Sequence, residues 1–191
     1  MFWKNAKCKA DLFWKNAVFD IYLHRKNAKI MLKRKISHYI EHFYKVNKGA
    51  LLLTGARQIG KTYSIRKFAE EHFKSFIEIN FVEAPEAVDI FSKAKNSNDV
   101  LLRLSALTDK PLIKGDTLIF FDEVQLCPEI VTAIKFLVDD GRYRYILSGS
   151  LLGVELNNLR SVPVGYMDIK EMYPLDLEEF MWAVGVNKDV I

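Results

Sequence analysis

Disulfide chemistry has little to work with in this chain: its two cysteines, Cys8 and Cys127, stand far apart in 191 residues. A disulfide framework is excluded, and the pair reads as free thiols of a reducing compartment, the cytoplasm. Nine glycines and five prolines exclude a collagen-like chain. No apolar run approaches the roughly 18 residues of a membrane span. The N-terminus carries Lys or Arg throughout and has no clean apolar stretch of the kind a secretory signal needs. A large excess of one charge is missing too: the net charge is +4, and 13% of residues are aromatic, which excludes a mainly disordered chain. What is present is an apolar half. In a compact domain of this size about 70% of the unfolded surface is hidden, so no metal or disulfide staple is needed.

The charge is unevenly placed. Residues 1–48 hold twelve Lys/Arg against three Asp/Glu, whereas residues 49–191 hold sixteen against 21. A basic front on a mildly acidic body suits either a solvated face or contact with nucleic acid. The same front is repetitive. Phe-Trp-Lys-Asn-Ala occurs at residues 2–6 and again at 13–17, and Lys-Asn-Ala returns at 26–28, an 11-residue spacing each time. Such a period suits a helix, but the units are too short and too few for a solenoid. Two readings stand: a tandem duplication upstream of a start at Met31, or a basic arm whose Trp3 and Trp14 stack on single-stranded nucleic acid. Residues 1–30 are therefore read as a basic N-terminal extension and 31–191 as the folded domain.

From Ile30 onward the pattern alternates. Ile36, Tyr39, Ile40 and Phe43 give a helical face that ends at Asn47-Lys48-Gly49. Residues 50–54 form a short apolar strand, 61–72 a helix and 76–81 an alternating strand. Residues 85–107 read as helical with a break near Asn96-Ser97-Asn98-Asp99. Thr117–Phe121 is nearly all apolar, as a strand covered on both faces would be. A helix at 128–139, a strand at 144–148, a fifth strand at 166–172 and an amphipathic helix at 175–184 complete the series. Strands alternating with helices imply an α/β fold with a parallel sheet covered on both sides.

Gly55-Ala56-Arg57-Gln58-Ile59-Gly60-Lys61-Thr62 fits G-x-x-x-x-G-K-[ST], the phosphate-loop or Walker A pattern. The glycines let the backbone aim successive N–H groups at phosphate oxygens. The helix that starts here adds its positive end. Lys61 is placed to reach the β- and γ-phosphates, and Thr62 to give its hydroxyl to Mg²⁺. Asp122 and Glu123 close the apolar strand in the Walker B manner. By themselves they would read as an acidic pair opening a loop. Downstream of a phosphate loop, Asp122 is expected to hold Mg²⁺ and Glu123 to act as general base on water. The Asp-Glu pair points to an ATPase of the additional-strand class, a P-loop NTPase with sheet order 5-1-4-3-2. Ser148, ending the strand between the two motif strands, would then sense the γ-phosphate, with Ser150 as runner-up and a plain turn serine as the alternative. ATP is preferred to GTP, because Asn187-Lys188-Asp189 lacks the spacer of a guanine reader and lies too late in the chain.

His38-Tyr39-Ile40-Glu41-His42 fits the inverted zinc-protease pattern H-x-x-E-H. No third ligand is evident, and Tyr39 and Ile40 fit a core face, so zinc is not expected. Asp139-Asp140 reads as a turn. His24 and His72 stand isolated.

The phosphate loop, Phe120-Phe-Asp-Glu-Val-Gln125, Leu147-Ser-Gly-Ser150 and Met172-Tyr-Pro-Leu-Asp-Leu-Glu-Glu-Phe180 occur in this order. Together they resemble a large prokaryotic family of AAA-type ATP-binding proteins that carry a C-terminal domain of unknown function. The resemblance runs from about Met31 to about Val184. It implies ATP binding at 55–62, Mg²⁺ at Asp122, catalysis at Glu123 and sensing near Ser148. Two departures stand out. Many members of the family it resembles carry a Gly-Arg pair ahead of the last strand, where this chain has Gly165-Tyr166. A transition-state arginine is worth about 10³–10⁵ in rate, and Arg160 is the nearest substitute, with Arg142 and Arg144 as outsiders. The chain also ends soon after the Glu-Glu-Phe segment, as a natural fragment or a truncated product would, so its turnover is expected to be slow.

The expected activity is Mg-dependent ATP binding and hydrolysis in the cytoplasm, with helix 31–46 beside the nucleotide and Arg34 near its base. The alternatives are an ATP-dependent switch or binding module with negligible hydrolysis, and a nucleic-acid-associated ATPase; a small-molecule kinase is a weaker third. Expected partners are ATP, nucleic acid through the basic N-terminal segment, and a protein partner or second copy, with no membrane.

Overall fold

The computed structural model describes residues 32–94, 96–150 and 165–185. The expectations for residues 1–30, Cys8, His24, Asn187–Asp189 and Arg160 lie outside them. The chain divides into two compact units, one formed by Lys35–Pro174 and the other joining residues up to Arg34 with those from Leu175 onward.

In the first unit the elements run α1 (Lys35–Val46), β1 (Ala50–Thr54), α2 (Lys61–His72), β2 (Ser75–Asn80), α3 (Val88–Ser92), α4 (Ser97–Ala106), β3 (Thr117–Asp122), α5 (Pro128–Asp140), β4 (Arg144–Gly149) and β5 (Met167–Glu171). The five strands form one parallel sheet in the order β2-β3-β4-β1-β5, the expected order read from the other edge. Every residue of β1 and β3 is buried, because helices cover both faces.

The period of two within each strand divides the core. Leu52, Ile119, Phe121 and Leu147 pack with Ile90, Leu104 and Ile134 of α3, α4 and α5. Leu51, Leu53, Leu118, Phe120 and Ile146 pack on the other face with Ile36, Ile40 and Phe43 of α1 and Ile65 and Phe68 of α2. Each such side chain contributes about 1.5–3 kcal/mol when fully buried.

Three boundaries differ from the sequence reading by more than one residue. Helix α1 starts at Lys35, not Ile30, and Leu32–Arg34 are not helical. In the 85–107 segment α3 ends at Ser92 and α4 starts at Ser97. Asn96 caps α4, its side chain accepting from Asp99 N at 3.0 Å, so the Asn-Ser-Asn-Asp stretch opens a helix where it was expected to interrupt one. The last helix, α6 (Leu177–Val184), starts two residues later than the 175 expected.

Helix α6 belongs to the second unit and opens on a capping box: Asp176 accepts from Glu179 N at 2.8 Å, and Glu179 accepts from Asp176 N at 3.2 Å. The buried Glu179 carboxylate also takes Arg34 Nε at 3.1 Å. Arg34, expected near the nucleotide base, therefore has its guanidinium on Glu179. Breaking a buried pair of this kind strands a charge. Lys33 Nζ lies over the Trp182 ring, 5.4 Å from its centroid.

Candidate functional site

A parallel sheet gathers all its strand C-termini at one edge. Here that edge collects Thr54 with the loop after it, Asn80, Asp122 with the turn after it, and Ser148 with Gly149 and Ser150. β4 lies between β1 and β3, with Leu53 level with Ser148.

The 55–60 loop needs its glycines. Gly55 has φ +136°, and a Cβ there would sit 2.2 Å from Met172 O. Gly60 has φ 96° at the start of α2, and no side chain caps that helix. The first amides of α2 are thus left to a ligand, and they favour an anion. Lys61 Nζ donates to Gly55 O at 3.0 Å and Ala56 O at 2.7 Å, holding the loop in a curl around its own ammonium. Burial pushes that ammonium below the ordinary lysine range, against the pull of Glu123 and Asp122 and with the Arg57 charge adding to the depression.

Asp122 is the hub. Its Oδ1 accepts from Ser148 Oγ and, at 3.0 Å, from Glu123 N. Its Oδ2 accepts from Thr62 Oγ1 at 3.0 Å and Asn80 Nδ2 at 3.3 Å. Four donors converge on this one carboxylate and fix its orientation. A carboxylate oxygen beside a hydroxyl is the hard oxygen set that Mg²⁺ prefers, so Thr62 and Asp122 fit that ion.

Glu123 follows in the left-handed region, φ 57° and ψ 45°. Its Oε2 accepts from Gln125 Nε2 and from Ser150 Oγ at 3.2 Å. Ser150 Oγ accepts in turn from Gln125 Nε2 at 3.3 Å and Arg57 Nε at 3.4 Å. Arg57, Gln58, Gly60, Lys61, Thr62, Tyr63, Asp122 and Glu123 line one cleft of about 240 Å³. A slightly larger hollow of about 270 Å³, with Phe91, Val100 and Phe136 in its lining, brings together no comparable set; Glu129 is its one ionisable residue.

The structure thus gathers Lys61, Thr62, Asp122 and Glu123, with Ser148 on Asp122 and Ser150 on Glu123. Asn80 and Gln125 were not singled out in the sequence. A polar residue ending β2 is the sequence signal for Asn80, and the signal for Gln125 is its place as the last residue of the 120–125 motif.

Other candidates are placed elsewhere. Arg144 opens β4 level with Leu118, at the far end of the sheet, a six-residue strand or about 20 Å from the C-terminal edge. Its guanidinium donates to Tyr44 O at 3.1 Å and to Asn47 O. Arg142 pairs with Asp140 and Asn98. Neither outsider reaches the site. The H-x-x-E-H residues do not converge: Glu41 comes together with Glu71 and His72, without His38 or His42. Burial raises the Cys127 thiol to about 12, which leaves it an unreactive core residue.

No helix among the described residues is long and apolar enough to cross a membrane. No curated protein matches the chain. Among solved structures it is similar to a point variant of RuvB from Thermotoga maritima, with 18% identity and a TM-score of 0.48, over 82% of this chain and 49% of that one. The chain spans about half the length of that structure. The AAA domain family matches residues 47–181, a stretch that runs from the turn before β1 into α6 and includes every site residue named above. With the sheet order and the 55–62 loop already in place, the chain belongs to the AAA domain family of P-loop ATPases.

Proposed function

We propose that residues 31–191 form an ATPase domain that binds Mg-ATP in the 55–62 loop and hydrolyses it to ADP and phosphate, in the cytoplasm, with residues 1–30 as a separate basic extension. One observation carries this reading: Thr62 and Asp122 touch in the lining of a cleft that Lys61 and Glu123 also line.

The loop amides and the start of α2 take the phosphates, and Lys61 exchanges its loop carbonyls for β- and γ-phosphate oxygens. Thr62 and Asp122 would hold magnesium, which supplies charge neutralisation on the phosphates. Asn80 and Ser148 orient the Asp122 carboxylate. A water oxygen bonds to the γ-phosphorus while the bond from that phosphorus to the β–γ bridging oxygen breaks. The electron pair of that bond leaves with ADP, and the water proton passes to Glu123. Arg160 is the arginine proposed to meet the charge that develops on the γ-phosphoryl oxygens.

Calorimetric titration with Mg-ATP, with phosphate release followed in the same samples, tests the proposal. Binding lost in Lys61→Ala, and release lost with binding kept in Glu123→Gln, is the expected pair. Binding with release equal in wild type and Glu123→Gln would replace hydrolysis by an ATP-dependent switch. No binding would overturn both.

The basic front favours a second property, contact with nucleic acid. Deleting residues 1–30 is expected to weaken single-stranded nucleic-acid binding, and the binding itself to fall steeply with salt. Unchanged binding after deletion overturns it.

A further inference from the structure

Glu123 is held more tightly than a base needs to be if all that matters is its presence. Its backbone occupies the left-handed region, a conformation a non-glycine residue keeps only where its surroundings impose it. Val124, buried in the core, and the bond from Leu126 N to Glu123 O at 3.0 Å fix the turn that follows. That turn delivers Gln125 back onto the Glu123 carboxylate.

The hydrogen bonds on this carboxylate are lopsided. Oε2 takes both of the donors that reach it, Gln125 Nε2 and Ser150 Oγ. Among the described residues nothing donates to Oε1, and Glu123 lines the cleft. Gln125 has a matching asymmetry. Its amide nitrogen serves Glu123 and Ser150, while its own Oε1 is buried without a hydrogen-bond partner. Turning the amide over would set Gln125 Oε1 against the Glu123 carboxylate, acceptor to acceptor. The side chain therefore tolerates an unsatisfied buried oxygen in order to keep its nitrogen on Oε2.

We propose that Gln125 is the positioning residue for the hydrolytic carboxylate: with Ser150 it pins Glu123 Oε2, which leaves Oε1 as the one atom that takes the proton of the attacking water. The proposal rests on the hydrolytic reading above. In the step it governs, the water oxygen bonds to the γ-phosphorus, the bond to the β–γ bridging oxygen breaks with its electron pair going to ADP, and the proton arrives on Oε1. Gln125 itself exchanges no proton. It acts only by fixing where Oε1 stands, and misplacing a reacting group by about 1 Å costs on the order of 10²-fold in rate.

The test uses the full chain and steady-state phosphate release with Mg-ATP, alongside calorimetric ATP affinity. Gln125→Met keeps the length of the side chain and removes both donors. It is expected to lower kcat by about 10- to 100-fold while KM and ATP affinity stay within about twofold. Placed on Glu123→Gln, the same change is expected to have no further effect, because the atom it positions no longer acts. A purely structural role would instead show equal losses on both backgrounds.

If Gln125→Met keeps wild-type kcat while Glu123→Gln abolishes release, this proposal fails and the hydrolytic reading stands. If wild type releases phosphate no faster than Glu123→Gln, both fail. A Gln125→Met variant that loses ATP affinity along with kcat also overturns the positioning role. Should Gln125→Met not fold, Ser150→Ala, which removes the other donor to Oε2, decides the matter by the same kcat, KM and double-variant readings.

Discussion

Thr62 Oγ1 donates to Asp122 Oδ2 across 3.0 Å, although sixty positions separate the two residues in the chain. The bond spans the gap between the phosphate loop and β3 and brings together the two oxygens best suited to magnesium. Thr62→Val keeps the shape of the side chain and deletes the hydroxyl. Affinity for Mg-ATP should fall by about tenfold or more, while affinity for ATP in the presence of a chelator should change little. Asn80→Leu, which strips a donor from the same Asp122 oxygen, should shift the magnesium requirement in the same direction and less far. Titrations at fixed ATP and varied magnesium separate the two.

Gly55→Ala tests whether the loop tolerates any side chain at its first position. The added Cβ would lie 2.2 Å from Met172 O, in a backbone conformation, φ +136°, that L residues avoid. Met172 O is a backbone atom, so it cannot swing aside as a side chain could. The expected cost is more than about 2 kcal/mol of stability, measured by denaturant unfolding, together with loss of Mg-ATP binding.

The depressed Lys61 ammonium gives a pH dependence with a defined sign. In the empty site burial favours the neutral amine, whereas phosphate requires the charged one. As pH rises through the lowered value, ATP affinity should fall, and it should do so before the range near 10.4 where an ordinary lysine titrates. The empty chain has the opposite trend: the unfolded state binds the more protons there, so stability rises with pH across the same window. Calorimetry in buffers of different ionisation enthalpy should show proton uptake on ATP binding that grows with pH. Lys61→Arg should bind with no such uptake, since arginine does not titrate there.

Arg144 fastens the C-terminus of α1 at the opposite end of the sheet. Its guanidinium donates to Tyr44 O and Asn47 O and lies over the Tyr44 ring at 5.3 Å, while Tyr44 Oη donates to Tyr145 O at 2.6 Å. Arg144→Ala should cost about 2–3 kcal/mol of stability and leave kcat of the folded fraction unchanged. A fall in kcat at full folding would return Arg144 to the candidates for the transition state.

The phosphate loop, Asp122 and Glu123 were legible because their chemistry is written in contiguous residues: α2 spans 61–72 as expected, and the strands lie within a residue or two of their predicted bounds. The sheet order followed from the Asp-Glu pair once the class was inferred. Asn80 and Gln125 were not legible, because what each does depends on a partner supplied by another strand or by a left-handed turn at Glu123. Ser-Gly-Ser offers Ser148 first and Ser150 second for one and the same role. They part only when β3 is set beside β4, where one meets Asp122 and the other Glu123. The Asn96 stretch misled for a related reason: the same residues break a helix or cap one, and the capping bond to Asp99 N decides.

The pairing of β1 bears on how the protein is born. Across the sheet Leu51 and Leu52 pair with Ile146, Leu147, Asp168 and Ile169. A ribosome adding about 5–20 residues per second releases the Ala50-Leu-Leu-Leu-Thr54 segment several seconds before either flanking strand exists. Throughout that interval an apolar strand with two bare edges waits in the nascent chain, open to other chains and to chaperones. The strand that leads into the 55–60 loop therefore waits longest before both of its edges are paired.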